Sequence, residues 1–252
     1  FGIRADELPS VLITHQIFPF SPMVQGIVRR INRHHIGRFD RCWIPDHAKA
    51  PGLAGELSHG RHLPGAVHYI GPVSRFDNDE VRSPPEVYRV VAVISGPEPQ
   101  RTLFERRVIK ELLTIDGRHL VVSGTPGLKE ERTDGNVRIV PHLQAKALRN
   151  ALLGAELIVS RTGYTTLMDL HALGRSALLV PTPGQMEQEY LGTLHARIGG
   201  HVVQRQDGMD IRETLRCLPR PAKRPENADA LVVALTDLSA LIRGRIPATF
   251  TG

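Results

Sequence analysis

The chain has 252 residues, 41% of them hydrophobic, and a formal charge of +6 carried almost wholly by arginine. That length and apolar content suit one large globular domain or two smaller ones, and they exclude disordered, collagen-like and coiled-coil classes. No apolar run approaches the ~18 residues of a membrane span, and the sequence opens at Phe1 on no basic-plus-apolar leader, so a soluble protein is expected.

In chain order, residues 11–14 read as a buried strand leading into a loop over 15–22. Residues 23–39 read as a helix with Met23, Ile27, Val28 and Ile31 on one face and Arg29, Arg30 and Arg33 on the other. Short strands are expected at 41–45 and 67–72, separated by a glycine- and proline-rich loop over 50–65. Residues 74–88 are polar, contain Pro84-Pro85 and read as a linker. Beyond it, strands at 89–95, 119–123, 137–141, 157–160, 177–181 and 202–204 alternate with helices at 102–113, 144–153, 165–173 and 187–198. This rhythm predicts an α/β fold with a doubly wound parallel sheet. Leu231, Leu235, Leu238, Leu241 and Ile242 recur at helical spacing, so residues 228–242 are expected to form a last helix that docks somewhere; in the domain layout, 226–252 is the helix expected to pack back toward residues 1–73.

Cys42 and Cys217 lie far apart and form no disulfide framework, which fits a reducing, cytoplasmic compartment. The twelve histidines show no metal-ligand spacing and read as scattered, solvent-facing side chains, so no metal is expected. The arginine excess fits either anion recognition by guanidinium forks or a coding bias. With 5% aromatic residues and no recognition motif, nucleic acid is not an expected partner.

Ligands of open parallel sheets bind outside the carboxyl ends of the strands, where helix amino termini offer N–H groups and a positive dipole end. Three loops fit that position. Ser95 and Gly96 offer a hydroxyl and a close backbone approach, with Arg101 as counter-charge, although Pro97 and Pro99 remove donors and make this neither a Walker loop nor GxGxxG. In Ser160-Arg161-Thr162-Gly163, the glycine permits close approach, Thr165 and Thr166 are candidate caps, and Asp169 one turn on can accept from vicinal ribose hydroxyls. Gln185, Gln188 and Glu189 open the next helix, where amides can bridge phosphate and sugar oxygens. Each loop alone is also an ordinary strand–helix turn; on consecutive β–α units they suit one crevice.

Ser160-Arg161-Thr162-Gly163, Thr166, Asp169-Leu170, Gly174, residues 178–181 and residues 185–190 together resemble the nucleotide-sugar half of the GT-B glycosyltransferases. The pattern is similar to the peptidoglycan N-acetylglucosaminyltransferase family (family 28-like), closely over 155–198 and more loosely over 89–154. The resemblance implies two Rossmann-like domains, the amino-terminal one incomplete, because the family's glycine-rich first strand–loop–helix is absent. Residues 1–73 would be a partial acceptor-side domain and 89–225 the donor domain. Asp169 replaces the family's ribose-holding glutamate, one methylene shorter. Gln188 matches a family glutamine near ribose and diphosphate, and Glu189 replaces its neighbour, placing a carboxylate near phosphates. Residues 139–143, beginning at Ile139, fall where the family lodges the base; Ser95, Gly96 and Arg101 fall at its first diphosphate loop. Gly71-Pro72-Val73-Ser74-Arg75 is similar to the family's Gly-Asn-Pro-Val-Arg, with Arg75 displaced by one as a phosphate clamp. Thr14 and His15 stand where the family has His and Glu, which implies a different acceptor.

The implied reaction transfers a sugar from a UDP-type donor to a hydroxyl, with helix amino termini and Arg161, Arg101 or Arg75 stabilising the diphosphate and His15 as the base. Two other readings remain open on sequence: a nucleotide-sugar epimerase or hydrolase of the same fold, and a donor-binding subunit completed by a partner chain. The basic helix face with Arg29, Arg30, Arg33, His34-His35 and Arg38 is either solvated or laid against anionic lipid, as in relatives using lipid-linked acceptors.

Overall fold

The computed structural model describes residues 9–17, 34, 36–59, 67–76, 87–218 and 229–245. Of the helix expected over 23–39, only 34 and 36 fall among them as helical, and 37–39 already form turn and bend; the basic residues Arg29, Arg30 and Arg33 lie outside the described set. The chain forms two compact units, residues 1–73 with 225–252, and residues 74–224.

The first unit is built on a three-stranded sheet ordered β1-β2-β3, of β1 (Val11–Ile13), β2 (Arg41–Ile44) and β3 (Val67–Tyr69), both pairings parallel. Alternation along β2 sorts its two faces. Cys42 and Ile44 pack with Ile17 and Ile36 on one side. Trp43 meets Ile70 and the carboxy-terminal helix through Ala234, Leu231 and Leu238 on the other. Arg41 grips Asp237 of that helix through a two-pronged contact at 2.6 and 3.2 Å. β1 is less enclosed than its apolar sequence implies: it lies at the sheet edge, and Ile13 is 59% exposed.

The stretch over 50–65, expected to be loose, is organised as far as Ser58 and His59 by one buried carboxylate. Asp46 is fully enclosed and accepts from His47 N (2.8 Å), Leu53 N (2.7 Å), Ala54 N (3.0 Å) and Ser58 Oγ (2.7 Å). A 3-10 turn, Gly55–Leu57, buries Leu57 above it.

The second unit holds a seven-stranded sheet in the order β10-β9-β8-β4-β5-β7-β6. Its centre is β4 (Tyr88–Val93), with β5 (His119–Val122) on one side and β8 (Ala155–Ser160) on the other. Both faces of β4 are covered, so Val90, Val91 and Ala92 are all fully buried. One face carries α1 (Gln100–Leu112), whose Phe104, Val108 and Leu112 pack on Val90, Ala92, Ile94 and Leu157. β9 (Ala177–Leu179) and β10 (Val202–Val203) extend the sheet beyond β8, and β7 (Val137–Val140) beyond β5, all in parallel.

Two elements were not expected from the sequence. β6 (Arg132–Asp134) pairs antiparallel with β7 across the two-residue loop Gly135-Asn136, and α5 (Ile211–Arg216) packs on α1. Asp-Gly-Asn between alternating residues was the available hairpin signal. The remaining helices are α2 (Ala145–Gly154), α3 (Tyr164–Ala172), α4 (Met186–Ile198) and the carboxy-terminal α6 (Asp229–Arg245).

Candidate functional site

The chain leaves β4 towards β5 and β7, then returns to β8 on the other flank and continues to β9 and β10. Adjacent strands β4 and β8 therefore send their following loops in opposite directions, and the crevice between those loops is the binding position of a doubly wound sheet. The hydroxyl of Ser160 ties the two strand ends together by donating to Val93 O at 3.1 Å. From β4 come Ser95 and Gly96, both exposed, with Gly96 at φ +110, where a side chain would be strained. From β8 comes α3, capped by the backbone of Gly163 and by no side chain, so neither Thr165 nor Thr166 serves as the expected cap. Thr166 and Gly163 line its first turn, half-buried.

Asp169 lies in α3 at 6% exposure. Ser74 Oγ donates to its Oδ1 at 2.7 Å and Arg75 Nη2 approaches Oδ2 at 3.1 Å. A carboxylate has about four acceptor positions, so two remain for a ligand's hydroxyls. The Arg75 guanidinium, half exposed, also stands 5.0 Å over the Phe76 ring.

Beyond β9, Thr182 carries a buried hydroxyl (3% exposed) with no hydrogen-bond partner among the described residues. A Cβ added to Gly96 would come within 3.7 Å of it, so the loops after β4 and β9 close on each other. The amino end of α4 is likewise without a side-chain cap, and Gln185 there is exposed. A cavity of about 870 Å³ adjoins, lined by Arg107, Pro181, Glu189, Thr193 and Gln206 among others.

Several side chains expected to meet the ligand are turned to other work. Arg161 is fully buried: Nη1 donates to Val180 O (3.3 Å) and Pro181 O (3.2 Å), Nη2 to Gln100 O (3.0 Å) and Gln206 Oε1 (2.6 Å), and its guanidinium sits 3.9 Å from the Phe104 ring centre. Burial pulls its pKa down to about 10. Thr162, also buried, spends its hydroxyl on Gln188 O at 2.9 Å, and Gln188 Oε1 accepts from Thr182 N at 2.9 Å. Glu189 Oε1 accepts from Gly184 N at 2.8 Å and so fastens the turn before α4. Arg101 is saturated by Glu98 (2.7 Å), Glu105 (3.0 Å) and Ser123 O (3.1 Å), which removes it as a phosphate clamp. Ile139 is 4% exposed inside β7, with neighbours on both sides, so the residues of that segment open at the strand end are Pro141 to Leu143. His15 belongs to the first unit, half-buried just after β1.

Residues 120–220 match the glycosyltransferase family 28 C-terminal domain. Over this stretch the chain is similar to that family. It is 36% identical over 91 residues to a UDP-N-acetylglucosamine–N-acetylmuramyl-(pentapeptide) pyrophosphoryl-undecaprenol N-acetylglucosamine transferase of Methylobacterium radiotolerans, covering 34% of this chain and 25% of that protein. The protein of the same name from Sorangium cellulosum is 30% identical over 108 residues, 40% of this chain and 26% of its own. The matched stretch thus spans about a quarter of these relatives. Among solved structures, the glycotransferase of kitacinnamycin superposes with a TM-score of 0.55 at 14% identity, covering 95% of this chain and 70% of that one. The fold is of the GT-B type.

Two polar side chains at the crevice were missed by sequence reasoning. Ser74 was visible only as the neighbour of Arg75, and Thr182 only as part of a polar turn. The histidines also differ from expectation: His119 and His195 are 1% and 2% exposed. His201 Nδ1 accepts from Ala177 N at 3.2 Å, and burial, with His195 and His171 nearby, lowers its pKa to about 4. Among the described residues, no three His, Cys, Asp or Glu side chains gather as metal ligands, and no helix is long and apolar enough to cross a membrane.

Proposed function

We propose that the protein transfers a sugar from a nucleoside-diphosphate sugar, UDP-type, to an acceptor hydroxyl, with the donor held on residues 74–224. The observation that carries this reading is Asp169, a nearly buried carboxylate fixed by Ser74 and Arg75 at the crevice between β4 and β8, inside the family-matched stretch. Its two remaining acceptor positions suit vicinal ribose hydroxyls. The diphosphate lies at Ser95–Gly96 and the start of α3, which no side chain caps, with Arg75 alongside. His15 is the base that takes the acceptor's proton, through a ring nitrogen of its imidazole. The acceptor belongs to the class of lipid-linked hydroxyl compounds, as the relatives' names say of them, and the protein works in the cytoplasm at the membrane surface.

Isothermal titration with UDP, GDP and TDP tests the donor site. UDP should bind, and Asp169→Ala should weaken it about tenfold or more, the loss of two charge-assisted hydrogen bonds. If no nucleoside diphosphate binds, the donor site is wrong; if the substitution leaves affinity unchanged, Asp169 is not its ribose anchor. Acceptor-dependent turnover surviving in His15→Ala would remove His15 as base.

A further inference from the structure

We infer that Arg161 acts from beneath the crevice as a buried cation whose counter-charge is the donor's diphosphate. This rests on the donor reading above and assigns a positioning role, because the guanidinium is walled off from any direct contact.

The electrostatics around Arg161 are unbalanced within the chain itself. Arg161 is fully enclosed, and its hydrogen-bond partners are three backbone carbonyls and the amide oxygen of Gln206, with no carboxylate among the described residues. An unpaired buried charge costs stability, and a well-packed apolar side chain of similar volume is often the more stable choice. The acids around the start of α1 belong to other cations: Glu98 pairs with Arg101, and Glu105 with Arg101 and Arg132. Beyond those carbonyl dipoles, the helix dipole adds no compensation. Arg161 holds Gln100 O in the first residue of α1, and a helix amino end is itself positive.

What lies around that charge is the crevice floor. Its partners Val180 and Pro181 lead directly into Thr182, and Gln100 follows the Ser95–Pro99 loop. Gly96 and Thr182 close on each other there, and the Thr182 hydroxyl has no partner among the described residues. An anion seated over Ser95, Gly96 and Thr182 gives the guanidinium its missing charge across the buried Thr182 side of the crevice, where the interaction is screened less than between exposed groups. The Arg161 forks also keep the ends of β9 and α1 at fixed separation, so the seat exists before the anion arrives.

The test compares UDP with uridine on the full chain, by titration, for Arg161→Met and Arg161→Lys. A charge role predicts that Arg161→Met lowers UDP affinity about tenfold or more, while uridine, which lacks the phosphates, stays within about twofold and the free chain still melts cooperatively. Equal losses for UDP and uridine would mark a merely structural brace and overturn the inference, as would no loss at all. If Arg161→Met does not fold, Arg161→Lys decides. It keeps the charge without the fork, and a UDP-to-uridine preference held near wild type supports the role, whereas a collapsed preference in a folded chain refutes it. Inorganic pyrophosphate separates the two levels of argument. A wild-type chain that binds pyrophosphate but neither UDP nor uridine removes the nucleotide reading and leaves Arg161 to be scored on pyrophosphate. A chain that binds UDP normally but ignores Arg161→Met removes only this inference.

Discussion

Asp169 shows what a single residue can and cannot announce. A carboxylate one turn into a helix that follows a strand and a glycine is readable in sequence, because both helix phase and distance from the strand end are local. Its holder is not: Ser74 lies 95 positions away, and only the tertiary fold brings its hydroxyl to 2.7 Å. Arg161 fails in the opposite sense, since an arginine between Ser160 and Thr162 reads as exposed, and all three are buried at 1% or less. The Arg75 pairing makes a prediction at this scale. Its side chain is 50% exposed, so the contact with Asp169 is screened and should contribute at most about 1 kcal/mol to folding. Arg75→Ala should therefore leave the melting temperature nearly unchanged while weakening UDP several-fold, more at low salt than at high. A large melting loss with unchanged UDP affinity would reverse that assignment.

At the scale of elements, the interior strands were legible because burial on both faces writes continuous apolar runs such as Val90-Val91-Ala92-Val93. Edge elements lack that signature. β6 is three exposed polar residues, and α5 has six residues, so neither offers a period to read. The 50–59 stretch was opaque for a related reason: its order comes from one acid, Asp46, accepting hydrogen bonds from four donors dispersed over twelve positions. Asp46→Ala would leave the N–H groups of His47, Leu53 and Ala54 without their acceptor, while the Ser58 hydroxyl keeps its contacts with Gly55 O and His59 Nδ1. At about 1–3 kcal/mol for each group left buried and unpaired, the loss should be several kcal/mol in denaturant unfolding. Asp46→Asn, which retains one acceptor oxygen, should fall between. A small effect of the alanine variant would mean that water reaches these donors.

Over the whole molecule, the α/β rhythm and the existence of a docked last helix could be read from periodicity, but the interior chemistry could not, and pH response follows from that interior. In unit 2, burial holds His201 near pH 4 in the fold, against 6.5 for an ordinary histidine, and depresses His119 in the same direction. The unfolded chain thus binds protons that the folded chain refuses between about pH 6.5 and about 4. Folding stability rises with pH wherever the unfolded state carries more protons, so this contribution is complete above pH 6.5 and is lost as acidity increases towards pH 4. Geometry gives the same sign, because protonating His201 Nδ1 destroys the hydrogen bond from Ala177 N and sets a charge beside His195, whose ring centre is 5.5 Å away. The melting temperature should fall steeply over that interval, by an amount equivalent to a few kcal/mol. His201→Gln, whose amide oxygen can accept from Ala177 N without titrating, should flatten the profile and leave stability at pH 7 close to wild type. A variant profile as steep as the parent's would place the acid sensitivity on other groups.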